Sequence, residues 1–85
     1  MRIEYTPKFG RQYKKLTKEL KAQAKKKEKI FRSNPFDPRL KTHKLGGRLS
    51  NYWAFWIDYR NRIMFSFVDK DIVRFHVVGD HDIYK

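Results

Sequence analysis

At 85 residues, with seven Phe, five Tyr and two Trp, the chain is one domain with a modest aromatic core, which excludes a disordered basic tail. The lack of cysteine excludes disulfides, thiolate-bound zinc and a thiol nucleophile, and fits a reducing, cytoplasmic setting. No apolar run approaches the roughly 20 residues of a membrane span. The 21 Lys and Arg outnumber the nine Asp and Glu to give a net charge of +12, which points to a polyanionic partner, nucleic acid first and an acidic protein second.

In chain order, residues 2–5 alternate polar and apolar side chains and read as a short strand. Thr6-Pro7 fits a helix start, with Thr6 as N-cap and Pro7 in the first turn. Phe9, Tyr13, Leu16 and Leu20 recur at helical spacing, and Ala24 and Phe31 continue that face with Ile30 beside it. Thr17 can cap a second helix, so residues 8–33 read as two helices with a tight break or as one bent helix. Asn34-Pro35 ends the helical stretch, with Asn34 suited to a left-handed position, and residues 34–41 form a loop.

From residue 52 the pattern becomes strand-like. Residues 52–58, 62–68 and 72–78 are aromatic or β-branched runs separated by turns near Tyr59-Arg60-Asn61 and Asp69-Lys70-Asp71, with Gly79 closing the last. The expected fold class is α+β: an N-terminal strand, one or two helices, then a three-stranded antiparallel meander with the helices on one sheet face, all in a single domain over residues 1–85. Alternation directs Trp53, Phe55, Ile57, Ile63, Phe65, Phe67, Val73, Phe75 and Val77 at the helices. It places Ala54, Trp56, Asp58, Arg62, Met64, Ser66, Arg74, His76 and Val78 on the other face, which suits a binding surface.

Charge divides the chain in two. Residues 1–50 hold 16 Lys and Arg against four Asp and Glu, while residues 51–85 hold five of each. The helical half therefore carries the attraction for a polyanion. Lys14, Lys15, Lys25, Lys26 and Lys27 are the leading candidates for docking on RNA, with Lys44, Arg48, Arg60 and Arg74 as further basic contacts.

No spacing matches a carboxylate magnesium site, a phosphate-binding glycine loop or a histidine metal pair, so neither a metal nor another cofactor is expected. RNA needs none of these. Its 2′-hydroxyl attacks the adjacent phosphate once a base takes the proton, a cation stabilises the phosphate, and an acid protonates the leaving 5′-oxygen. Groups able to do this fall at strand ends: His43 and Lys44 before the sheet, Arg60 and Arg62 at a turn, and His81 and Tyr84 after the last strand. Trp56 offers a base-stacking surface or a contact for a second protein.

The tracts His43-Lys-Leu-Gly-Gly-Arg-Leu-Ser-Asn-Tyr-Trp53, Tyr59-Arg-Asn-Arg-Ile-Met-Phe65 and Val78-Gly-Asp-His-Asp-Ile-Tyr84, with Leu16-Thr-Lys-Glu-Leu20 and Asn34-Pro35-Phe36 before them, resemble the RelE/YafQ/YoeB toxins of bacterial toxin–antitoxin systems. The resemblance covers nearly the whole chain in order. It implies a ribosome-dependent mRNA endoribonuclease neutralised by a cognate antitoxin, with DNA contacted only through that antitoxin and no membrane involved. It assigns Arg62 to the scissile phosphate, His81 to acid or base, Tyr84 to the RNA, and His43 to a histidine of the YafQ-like branch. The chain departs from the RelE branch at Ala54 and Trp56, where that branch carries lysines. The alternative is therefore a catalytically weak or inactive module on the same fold that binds RNA or an antitoxin.

Overall fold

The computed structural model describes residues 1–80 and 82. Strand β1 (Arg2–Tyr5) leads into helices α1 (Pro7–Lys14) and α2 (Lys18–Ser33). Short 3-10 turns follow at Pro38–Leu40 and Gly47–Leu49, on either side of the two-residue strand β2 (His43–Lys44). Strands β3 (Trp53–Trp56), β4 (Asn61–Asp69) and β5 (Ile72–Asp80) follow.

Both predicted caps form. The Thr6 side chain accepts from the Phe9 amide and Thr17 from that of Leu20, each satisfying a donor that the first helical turn leaves open. The helical segment is thus two helices, broken at Lys15-Leu16-Thr17. Asn34 differs from expectation: it is extended (φ −160°), and the left-handed residue is Lys41 (φ 52°), at the end of the first 3-10 turn. The Asn34 side chain instead accepts from the Phe36 amide, so an Asx turn redirects the chain.

Among the described residues the sheet has five strands in the order β1-β5-β4-β3-β2, two more than the predicted meander. The meander β3-β4-β5 is antiparallel as expected. β1 joins it in parallel beside β5, Ile3 opposite Val73, and β2 adds an antiparallel edge with His43 opposite Ala54. A two-residue strand carries no readable alternation, and parallel pairing across 70 residues leaves no local turn signal.

The core lies between the helices and one sheet face. Phe31 of α2 is fully buried and stacks on Phe55 (5.0 Å between ring centres), with the edges of Phe65 and Phe75 at 4.9 and 5.4 Å. Phe55, Ile57, Ile63, Phe65, Val73 and Phe75 all enter this core as expected, and Trp53 packs against it. Phe67 lies at its margin, 40% exposed, in contact with Trp53 and Phe36.

At the end of β5 the predicted alternation is broken. Met64 pairs with Val77 but Phe65 pairs with Phe75, so His76 is an extra residue and the strand bulges. Beyond the bulge the faces exchange. Val78, opposite Ile63, is in the core, while Val77 lies opposite Met64 on the outer face. The Val78 amide donates to Oε1 of Gln12 at 3.0 Å, tying α1 to the irregular segment. Among the described residues, no helix is long and apolar enough to cross a membrane.

Candidate active site

The site begins with the turn between β3 and β4. Oδ1 of Asp58 accepts from the Arg60 amide (2.9 Å), the Asn61 amide (2.8 Å) and the Asn61 side chain (3.0 Å). Burial pushes the Asp58 carboxyl up, but these hydrogen bonds and the Arg62 charge outweigh it and hold the group below its ordinary value. A carboxylate locked this way fixes the path of the backbone that follows.

Arg62 closes the same turn from the other side. Its Nη1 donates to the carbonyls of Asp58 (2.9 Å), Tyr59 (2.9 Å) and Asn61 (3.2 Å). Its guanidinium carbon lies 4.0 Å from the centre of the Trp56 ring, the residue directly across the ladder. The guanidinium is thus fixed by one nitrogen and one face. Among the described residues, Nε and Nη2 make no hydrogen bond, and no carboxylate lies within ion-pairing distance. A half-buried, oriented cation with open donors is suited to receive a phosphate.

His43 sits on the same face, since it stands opposite Ala54, which shares its side of β3 with Trp56. Its Nδ1 lies 2.9 Å from the carbonyl oxygen of Lys41. A carbonyl only accepts, so Nδ1 carries the hydrogen. A neutral imidazole with this hydrogen bond has its lone pair on Nε2, which is the nitrogen that can accept a proton.

The far end of this face is wired differently. Arg74 donates to Glu4 Oε1 through Nε (3.1 Å) and Nη2 (2.8 Å), and this hydrogen bonding holds the Glu4 carboxyl below its usual value. His76 Nε2 lies 2.8 Å from Ser66 Oγ, with the edge of Tyr52 against its ring. Burial, and after it the Arg74 charge, push the His76 imidazole down.

The remaining sequence candidates divide between these surroundings and the helices. Lys44 stands opposite Trp53, on the helix side of the sheet, so it does not join Arg62. Arg60 and Arg48 are exposed in the turns that carry them. Lys14 and Lys15 line a basic groove of about 500 Å³ with Lys8 and Arg11, and Lys25 lines another of about 370 Å³ with Lys18 and Lys21. Lys26 is exposed, whereas Lys27 Nζ donates to the Arg39 carbonyl at 3.1 Å. His81 and Tyr84 lie outside the described residues. Among the described residues, no three His, Asp or Glu side chains gather to hold a metal.

Two contributors are absent from the sequence reading. Asp58 was assigned only a face, although Asp-x-x-Asn at a turn is a signal for an Asx motif. Lys41, whose Nζ lies 5.3 Å from the Trp56 ring centre, gave no signal, because its position depends on its left-handed backbone.

This architecture is the RelE-like fold, shared with the YafQ and YoeB toxins. YafQ from E. coli strain BL21(DE3) superposes with a TM-score of 0.80 over 99% of this chain and 98% of its own, at 20% identity. The YoeB/ParE toxin from Agrobacterium tumefaciens gives 0.81 over 95% and 99%, at 15% identity. YoeB from Staphylococcus aureus, solved as a dimer, gives 0.78 over 95% and 97%, at 20% identity. Similar structures include the E. coli DinJ–YafQ toxin–antitoxin complex and the S. aureus YoeB–YefM complex. No family model and no curated relative matches the sequence.

Proposed function

We propose that this chain is the toxin of a toxin–antitoxin pair: a cytoplasmic, metal-independent endoribonuclease that cuts mRNA on the ribosome. The observation that supports this reading best is the presence, on one sheet face, of an oriented Arg62 guanidinium with open donors and a His43 ring whose Nδ1 is engaged by the Lys41 carbonyl, leaving Nε2 as its uncommitted nitrogen. Nε2 of His43 takes the proton of the 2′-hydroxyl. The oxygen attacks the adjacent phosphorus, the bond to the 5′-oxygen breaks, and a 2′,3′-cyclic phosphate forms. Arg62 stabilises the charge on the non-bridging oxygens. His81 is the acid that protonates the leaving 5′-oxygen, and Tyr84 positions the nucleotide. The basic surface of α1 and α2 holds ribosomal RNA through its phosphates.

The complexes of YafQ with DinJ and of YoeB with YefM support a protein antitoxin as the partner that neutralises this chain. Primer extension on mRNA from translating ribosomes tests the enzyme reading. Codon-phased cuts that disappear in Arg62→Gln and His43→Gln are expected. Stalled ribosomes on uncut mRNA would instead make the chain an RNA-binding module without nuclease activity.

A further inference from the structure

The helix side of the sheet carries a groove that the nuclease reading does not use. It is about 330 Å³ and is lined by Tyr5, Phe9, Gly10, Tyr13, Lys25 and Glu28. One wall is aromatic. The ring centres of Tyr5 and Phe9 lie 5.5 Å apart and those of Phe9 and Tyr13 6.0 Å, with Phe9 buried and Tyr5 48% exposed. This groove adjoins the lysine groove of α2. Lys25 lines both, and Lys21 of the lysine groove has its Nζ 5.9 Å from the Tyr13 ring centre. Lys18, Lys21 and Lys25 recur at helical spacing, and among the described residues none has a carboxylate within ion-pairing distance.

Two lining residues are not accounted for by the fold. Gly10 lies inside α1, where a Cβ would meet nothing within 4 Å. Neither packing nor the backbone requires glycine there, and a helix interior favours alanine over it. What the missing side chain does is keep the groove open. Glu28 takes both of its hydrogen bonds, from the Tyr5 hydroxyl and the Arg32 guanidinium, on Oε2. Among the described residues its Oε1 accepts none. We propose that the groove binds one nucleotide of an RNA strand. The base lies against the aromatic wall beside Gly10, its exocyclic amino group donates to Glu28 Oε1, and its phosphate meets Lys21 and Lys25. An acidic protein segment would match the lysines but leave the open carboxylate oxygen unused. A second copy of this chain, at a net charge of +12, would be repelled by them. The proposal rests on the reading that these helices hold RNA, and adds a base to its phosphate contacts.

The test is an NMR titration of the ¹⁵N-labelled full chain with adenosine 5′-monophosphate or uridine 5′-monophosphate. The adenine nucleotide should shift the amides of Gly10, Tyr13, Lys25 and Glu28 and saturate them. Uracil carries no exocyclic amine, so its nucleotide should bind about three- to tenfold more weakly. Glu28→Met should bring the two nucleotides within about twofold of each other. Lys21→Met and Lys25→Met should each weaken the adenine nucleotide about two- to fivefold. Gly10→Leu fills the groove and should remove the shifts at Tyr13, Lys25 and Glu28. It should also melt no lower than the parent, because leucine suits a helix better than glycine does. Loss of binding without loss of stability is a result that a merely structural Gly10 does not give.

Equal affinity of the parent for the two nucleotides would overturn the proposal, as would undiminished binding in Gly10→Leu or no shift of the groove amides by the adenine nucleotide. A glutamate-rich peptide that shifts those amides where the nucleotide does not would give the groove to a protein segment instead. Failure of the nuclease reading looks different. The adenine nucleotide would then still saturate the groove with its Gly10 and Glu28 dependence intact, while ribosomal mRNA stayed uncut.

Discussion

The two ends of the outer sheet face contain similar residues put to different uses. At one end Arg74 is held by Glu4, and His76 by Ser66 under the edge of Tyr52. At the other, among the described residues, Arg62 has donors left over and no carboxylate within ion-pairing distance, and His43 has one ring nitrogen committed and the other without a hydrogen bond. An arginine or a histidine on a binding face is therefore uninformative until its partners are known. Paired groups stabilise the sheet, and groups fixed on one side but open on the other are the ones available for chemistry.

The comparison is broken most directly at the two arginines. Arg62→Gln should reduce cleavage on ribosomes by about 100-fold or more, the usual effect of losing a donor that stabilises a transition-state oxyanion. Arg74→Gln should leave cleavage within about threefold, because its charge is already neutralised by Glu4. Equal losses in the two variants, read from primer-extension rates, would erase the distinction.

The histidines give the next largest contrast. His43→Gln should slow cleavage about 10- to 100-fold, as expected when a general base is removed. His76→Gln should change the rate little and alter stability instead. The folded pKa of His76 lies below the unfolded value of about 6.5. The unfolded chain thus binds more protons as pH falls through that value, so His76 contributes stability above it that is lost on acidification. Melting temperature should therefore decline between about pH 7 and pH 5 in the parent, and less steeply in His76→Gln. Parallel curves would show that His76 is not held neutral by its surroundings.

A smaller effect tests how the faces themselves are set. Gln12→Leu removes the acceptor for the Val78 amide at the β5 bulge and should lower stability by about 1–2 kcal/mol in urea unfolding. A stability equal to the parent's would mean that water serves that amide as well as Gln12 does.

Much of the fold follows from local patterns. The two threonine caps, the apolar stripe from Phe9 to Phe31 and the three alternating strands each depend on neighbours within a few residues. The bulge did not, and it reversed the predicted places of Val77 and Val78, because one extra residue in a strand leaves no mark on the composition around it. The candidate site was legible to a similar degree. His43, Trp56 and Arg62 stand out in the sequence, and the register places all three on one face. Lys44 stands out with them in the sequence but falls on the opposite side, since adjacent residues of a strand point in opposite directions.

By itself the sequence determined which half of the chain carries the excess positive charge and which residue types are present that can do metal-free chemistry, because charge and functional groups are properties of residues taken singly. Only the tertiary structure decided which of those groups are already engaged. Glu4 reaches Arg74 across 70 residues, and Lys41 meets Trp56 only after a left-handed turn and a strand pairing bring them together. Neutralisation and orientation are properties of pairs, and pairs distant along the chain exist only once it has folded.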